Sequence, residues 1–233
     1  MDTHIEKRSL EVQAADAIRR RIISGEMPPG TRLTEIRLSE ELDLSRGTIR
    51  GALARLVNEG LVEQVPYSGW SVISLTARDA WELYTLRSSL EALAARLAAA
   101  NLKPNDSASI RAAMDALVAA AASGDREAVA NADFALHKKI IDVSGHSRLK
   151  QQYMALEHQI RMYIASSDAL VMSLDEVVEQ HAPLVEAILA KDIERASTIA
   201  RQHNVVEGKA LVEHFKNLAQ PSDQHNFNFG VEA

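Results

Sequence analysis

Apolar positions change their period along the chain, and the changes mark out its elements. Val12, Ala15, Ile18, Ile22 and Ile23 recur at helical spacing and define a first helix from Leu10 to Ser24 that Gly25 stops. Met27 to Leu33 reads as a turn leading into a short extended piece. Leu38 and Leu42 mark a second helix, with Thr34 in the place of its cap. Ile49, Leu53 and Leu56, at i, i+4 and i+7, mark the buried face of a third, and Ser45 sits where its N-cap belongs. Gly60 ends that helix. The stretch after it alternates as a strand, 66–69 reads as a turn, and Trp70 to Leu75 is a second strand. Two helices followed by a hairpin make a winged helix-turn-helix.

Beyond Thr76, whose spacing to Asp79 is a capping pattern, every repeat is helical. The predicted spans are 77–101, 105–123, 126–144, 147–168, 174–190 and 192–218. The expected fold is therefore mostly α: a winged helix-turn-helix (α with a small β-hairpin) over 8–75, then an all-α six-helix bundle over 77–218 with its own core. The Ala-rich runs 92–100 and 116–122 predict close helix packing, and the polar composition of 219–233 predicts a disordered tail.

Composition narrows the function. With 46% hydrophobic and 25% charged residues the chain is ordinary globular material. It has no Cys, which excludes disulfides, thiolate metal sites and cysteine nucleophiles. No apolar run is long enough for a membrane span and the N-terminus is charged, so a cytoplasmic protein with no membrane partner is expected. Net charge is −6, and residues 1–75 carry 10 Lys and Arg against 11 Asp and Glu. Bulk charge therefore gives no sign of nucleic acid; the signal is local, because Arg46, Arg50 and Arg55 follow one another with no acid between them.

Arg46, Thr48 and Arg50 lie off the leucine face, near the start of the third helix. Arginine forks match the O6/N7 edge of guanine and phosphate oxygens, so this end suits the major groove of double-stranded DNA. The plainer alternative is a helical hairpin with a solvated arginine face. In the bundle, Asp133 and His137 are four apart on one helix, while His181 and His203 fall on the fifth and sixth predicted helices. Three imidazoles and a carboxylate converging there would make a divalent metal site. Spacing alone equally allows ordinary helical histidines, the class to which His146, His158, His214 and His225 are assigned. Arg87 would hold an anion beside such a site, or simply form a surface i,i+4 pair with Glu91.

Taken together the chain resembles a GntR-family transcription regulator of the FadR-like (FCD) subgroup, over roughly residues 8–216. The motifs are Ile22-Ile-Ser-Gly-Glu-Met-Pro-Pro-Gly-Thr-Arg-Leu33, Leu38-Ser-Glu-Glu-Leu42, Leu44-Ser-Arg-Gly-Thr-Ile-Arg50, Asn58-Glu-Gly-Leu-Val62 and the wing glycine Gly69. The resemblance implies DNA contacts at Arg37, Ser45, Arg46, Thr48, Arg50 and Gly69. It departs at Gly51-Ala52, where the family usually has Glu-Ala; the glycine implies a looser helix or a closer approach of backbone to DNA. In the second half it implies metal ligands at Asp133, His137, His181 and His203, holding zinc, nickel or manganese, with Leu136 where the family usually has Phe. The family's Leu-Arg-x-x-Leu-Glu matches Leu86 to Glu91, which implies an effector contact at Arg87. Tyr84, Arg161 and Asn204 are further candidates for that wall. Six helices rather than seven resembles the VanR-like branch.

The expected function is a DNA-binding repressor or activator that works as a homodimer on paired half-sites. Its bundle would bind a metal ion and a small organic or sugar acid. A rival reading is a metal-dependent helical-bundle enzyme with an accessory DNA-binding domain, although no general base or second-metal carboxylate stands out. A third is a DNA-binding module whose bundle only dimerises.

Overall fold

The computed structural model describes residues 8–65 and 69–218, with Phe227 and Phe229. The chain divides into two compact units at Ser74–Leu75. In the first, α1 (Leu10–Ile23) is followed by β1 (Arg32–Leu33), α2 (Glu35–Leu42), α3 (Arg46–Asn58), β2 (Val62–Val65) and β3 (Gly69–Val72). The three strands are antiparallel in the order β1-β3-β2, with Trp70 opposite both Leu33 and Gln64.

Each helix of this unit starts on a hydroxyl. Ser9, Thr34 and Ser45 accept from the backbone N–H groups of Val12, Arg37 and Thr48. Asp43 ends α2 in the left-handed region at φ 52°, a conformation that a short polar side chain tolerates. Ile18, Leu38, Ile49, Leu53, Leu56 and Leu61 close the core. Of the three consecutive arginines on α1, Arg20 is exposed. Arg19 and Arg21 are instead half-buried in ion pairs, Arg19 with Asp16 and Glu59, Arg21 with Glu26 and Glu41. The predicted turn at 66–69 lies outside the described residues except for Gly69, whose φ of +98° favours glycine.

The second unit holds α4 (Ala77–Asn101), α5 (Pro104–Ser123), α6 (Arg126–Val143), α7 (Ser147–Ala155), α8 (Glu157–Asp168), α9 (Leu174–Leu189) and α10 (Ile193–Leu218). Thr76 and Asp79 form the predicted capping box of α4. The expected helix over 147–168 is two helices, because Leu156 leaves helical geometry at φ −100°, ψ 1°. The described bundle therefore has seven helices, and helix count gives no support to the VanR-like branch. Nothing local announces the break, since no Gly or Pro lies between Gly145 and Pro183.

The two Ala-rich runs part company. In 92–100 five alanines are buried (92, 94, 95, 98 and 99), whereas most of 116–122 is exposed. Two residues of the expected disordered tail pack on this unit. The Phe227 ring stacks 5.7 Å from that of Trp81, and Phe229 reaches the surface around Gly208 and Tyr84. The rest of the tail lies outside the described residues.

The helical glycines Gly51 and Gly208 face different neighbours. A Cβ at Gly208 would stand 2.6 Å from Tyr84 Cβ and 2.7 Å from Phe229 Cε1, so α4 and α10 meet where only glycine fits. A Cβ at Gly51 would meet only the far end of the exposed Glu11 side chain, at 2.7 Å. Glu11 can swing into solvent, so Gly51 is tied to α1 by nothing rigid. Gly208→Ala should destabilise by about 1–3 kcal/mol through overpacking, despite the better helix propensity of Ala. Gly51→Ala should be neutral or stabilise by up to about 1 kcal/mol. Denaturant melts of the two variants against wild type check both signs.

Candidate DNA-recognition helix and buried metal-ligating cluster

The start of α3 is built to present side chains. Ile49, Leu53 and Leu56 are buried, which turns Arg46 and Arg50 outward with side chains 61% and 63% exposed. Arg37, at the start of α2, is equally exposed at 65%. None of the three stands alone. Arg50 is bidentate to Glu35, Nε donating to Oε1 at 2.9 Å and Nη2 to Oε2 at 2.8 Å, and Arg46 lies 3.8 Å from the same carboxylate. Glu35 also accepts from Trp70 Nε1 at 3.3 Å, and the Arg50 hydrogen bonds hold its carboxyl below the usual range. Arg37 pairs with Glu41. Ser45 spends its oxygen as the α3 cap and lies 2.9 Å from the Thr48 hydroxyl. Gly69 is exposed at the start of β3. Sequence pattern alone did not reveal that Glu35 and Glu41 pre-pair these arginines.

In the bundle, Asp133 and His137 (both α6), His181 (α9) and His203 (α10) are brought together and buried. Nε2 of His137 and Nε2 of His181 are 3.0 Å apart. Asp133 Oδ1 lies 3.2 and 3.5 Å from them without hydrogen-bond alignment, and neither Asp133 oxygen nor His203 Nε2 has a hydrogen-bond partner. The outer ring nitrogens explain the arrangement. His181 Nδ1 is 2.7 Å from Val177 O, which can only accept, and His137 Nδ1 is 2.8 Å from the Glu91 carboxylate. Both Nδ1 atoms therefore donate, and in the neutral imidazoles both Nε2 atoms carry lone pairs. Lone pairs facing one another in a buried site require a shared cation, a proton or a metal ion, and the three histidines, whose ligand atoms lie within 4.8 Å of one another, fit a divalent ion with Asp133 beside them.

The electrostatics agree. Burial disfavours the charged form of His137, but the Glu91 and Asp133 carboxylates outweigh it and hold the ring up to about 10. His181 is likewise raised against burial by Asp133, whereas burial and the other two imidazoles push His203 well down. Asp133 is held well below the carboxylate range, since the histidines outweigh its burial.

Arg87 is completely buried beside this cluster. Its i,i+4 pair with Glu91 exists, Nε donating to Oε1 at 3.0 Å, but it is a core pair and not a surface one. Glu91 also accepts from Tyr153 OH at 3.0 Å, His137 Nδ1 at 2.8 Å and Asn204 Nδ2 at 2.8 Å. Burial opposes its charge, yet Arg87 and His137 hold the carboxyl far below the usual range. Both Nη atoms of Arg87 lack hydrogen-bond partners, and Glu207 Oε2 lies 4.0 Å from Nη1. Tyr84 lies under the guanidinium, 4.8 Å from ring centroid to Cζ, and donates to Ser167 Oγ at 3.3 Å.

Arg161 does not join this wall. It pairs with Glu157, donates to Asn131 and lies 3.9 Å over the Phe134 ring, contacts that tie it to its own helix and the outer partners of α6. His146 caps α7 and His214 meets the Phe215 ring edge-on. Three acids escaped notice in the sequence: Glu91 as the carboxylate that orients His137, and Asp168 and Glu207, whose oxygens gather with those of Asp133 within 4.8 Å. Glu207, four residues after His203, repeats in reverse the Asp133–His137 spacing, a signal that was there to read. Asp168, at the end of α8, gave none.

A winged helix-turn-helix joined to a helical ligand-binding bundle defines a DNA-binding transcription regulator. Comparison with known proteins agrees. Residues 10–72 match the model of bacterial regulatory proteins of the gntR family and residues 82–205 that of the FCD domain. The chain is 31% identical over 193 residues, 82% of its length and 84% of the relative's, to the "Probable D-xylose utilization operon transcriptional repressor" of Paenarthrobacter nicotinovorans. It is 27% identical over 207 residues to the gluconate operon transcriptional repressor of Bacillus subtilis, covering 85% of this chain and 83% of that one. Among solved structures it is similar to E. coli McbR/YncC at TM-score 0.73 and 25% identity, over 90% of this chain and all of the other. The chain belongs to the GntR family of transcription regulators, with an effector-binding FCD domain, and is not an enzyme. No helix among the described residues is long and apolar enough to cross a membrane.

Arg87→Ala would leave Glu91 buried without its guanidinium. Breaking a buried ion pair in this way should cost about 3–5 kcal/mol, and Arg87→Lys, which keeps the charge, clearly less. Chemical denaturation of the two variants tests the order.

Proposed function

We propose that this regulator is a cytoplasmic homodimeric repressor whose operator affinity is set by a metal ion and a small organic or sugar acid in the FCD bundle. The observation that carries the reading is the pair of unpartnered Nη atoms on the buried Arg87, beside three histidines and Asp133 with their ligand atoms turned inward. Leaving buried donors unmatched costs roughly 1–3 kcal/mol each, and a carboxylate is the bidentate acceptor that a guanidinium fork fits.

On the DNA side, Arg46 and Arg50 read base edges with Thr48 between them. Arg37, Ser45 and Gly69 lie against the backbone. The exposure of the three arginines supports this. Docking exchanges Glu35 for guanine or phosphate, so part of the contact energy goes into releasing existing pairs, and specific binding is steeply salt-dependent. The names of two relatives, repressors of D-xylose and gluconate operons, support repression and a sugar-derived acid. A homodimer is favoured by Leu86 and Leu93, exposed and two turns apart on α4, with the half-buried Leu90 and Leu97 on the same stripe.

Asp133, His137, His181 and His203 would hold the metal ion, zinc, nickel or manganese. A divalent ion there would supply positive charge for an acid to meet. Arg87 clamps the acid from the other side, with Tyr84 and Asn204 in the wall. Binding changes operator affinity only if the acid distinguishes two conformations of the dimer, and a coupling of about 1–3 kcal/mol, roughly 5–150-fold, is typical.

The DNA assignment is tested by titrating operator at matched salt. Arg46→Ala/Arg50→Ala should lose roughly tenfold or more of specific affinity, and Arg37→Ala should weaken all sequences alike while lowering the salt slope by about 1. Operator binding unchanged in the double variant would refute the recognition-helix assignment.

The sensor assignment is tested with metal and acid together. Without metal, His137 keeps its proton below about 10, and a ligand must be neutral, so metal binding releases a proton and weakens as pH falls from 8 to 6. Calorimetry in buffers of different ionisation heat should show that proton and one ion per chain. An acid that weakens operator binding in wild type should need a much higher concentration in Arg87→Lys. A response that is the same after complete metal removal would sink the metal-centred part.

A further inference from the structure

We infer that the effector carries hydrogen-bond donors, hydroxyls or an ammonium group, beyond its carboxylate, and that Asp168 and Glu207 are the residues that select for them. The inference rests on the acid-binding reading of the same site and narrows the ligand class.

The bundle interior is chemically two-sided. One side offers donors without acceptors, Nη1 and Nη2 of Arg87. The other offers carboxyl oxygens without partners: Asp168 Oδ2 and Glu207 Oε2 are buried and unmatched, beside the Asp133 oxygens that face the histidines. Oxygens of the three acids approach within 4.8 Å of one another, and Glu207 spans the two sides, 4.0 Å from Arg87 Nη1 and 3.4 Å from His203 Nε2. Asp168 is held in place by its backbone, because Arg126 donates to its carbonyl at 2.7 Å and to that of Val171 at 3.3 Å.

A plain aliphatic acid would satisfy Arg87 and then lay an apolar tail against the carboxylates of Asp168 and Glu207. Buried acceptors facing methylene groups stay unmatched, and this is the situation in which a polar site rejects an analogue that lacks the polar group. A hydroxy or amino acid fills both sides at once: its carboxylate meets the guanidinium fork, and its O–H or N–H groups donate to the two acids. The two unpartnered Nη atoms of the fully buried Arg87, with Nη1 4.0 Å from Glu207, separate this arrangement from a bare acidic cluster, because a cation already stands beside the acids and the unmet need is for a ligand with both kinds of group.

Three matched pairs of probes test it on the metal-loaded full chain by thermal shift and operator titration: D-gluconate with hexanoate, 6-aminohexanoate with hexanoate, and L-tartrate with succinate. In at least one pair the donor-bearing acid should act at roughly 10–100-fold lower concentration. Asp168→Asn and Glu207→Gln, checked for folding by circular dichroism, should bring that ratio toward one. Equal action of the plain acids, or a ratio unchanged in both variants, overturns the inference while leaving an acid-binding site. Failure of all five probes to act overturns the inference and the acid-binding reading together. Two divalent ions per chain, with the second lost in Asp168→Asn or Glu207→Gln, would also overturn it, because the acids would then be metal ligands.

Discussion

A buried carboxylate holds the sensing bundle together. Glu91 accepts four hydrogen bonds, from Arg87 on its own helix, His137 on α6, Tyr153 on α7 and Asn204 on α10. An ionised group in a dry core is tolerated only when its lone pairs are matched, so each of those helices must arrive in register for the charge to be stable. The same four bonds fix the chemistry on either side. Accepting the hydrogen bond of His137 Nδ1–H leaves Nε2 turned toward the cluster, and engaging Arg87 through Nε alone leaves both Nη atoms without a hydrogen-bond partner. The split of the expected 147–168 helix at Leu156 belongs to this arrangement, separating the helix that carries Tyr153 from the one that ends at Asp168.

The DNA-binding unit works under the opposite constraint. Arg37, Arg46 and Arg50 are at the surface, and acids on the same unit pair with them. Glu35 serves Arg50, Arg46 and Trp70 together, which ties the arginines at the start of α3 to the first residue of α2. Near-balanced charge in this part of the chain, 10 basic against 11 acidic residues, is thus compatible with DNA binding, since the basic groups are gathered at one helix end.

Most of the architecture was legible in the sequence because it follows from local rules. Caps at Ser45 and Thr76, stops at Gly25 and Gly60, and the period of Ile49, Leu53 and Leu56 each act within a few residues, and each predicted element has a counterpart near its predicted ends. The exceptions are tertiary. Leu156 breaks a helix with no local breaker, most of 116–122 faces solvent although five of the alanines in 92–100 are buried, and Phe227 and Phe229 find the bundle from a polar tail.

The candidate metal-ligating residues divide in the same way. The sequence by itself determined that Asp133 and His137 share a helix face, and resemblance to a family singled out His181, His203 and Arg87. That these side chains meet, that Arg87 is in the core with two free nitrogens, that Arg161 turns elsewhere, and that Asp168 and Glu207 join the site were decided only by tertiary structure. Helical periodicity fixes which way a side chain leaves its own helix. Which side chains from α4, α6, α8, α9 and α10 share one desolvated space depends on how those helices cross, and only there does burial make a charge demand a partner.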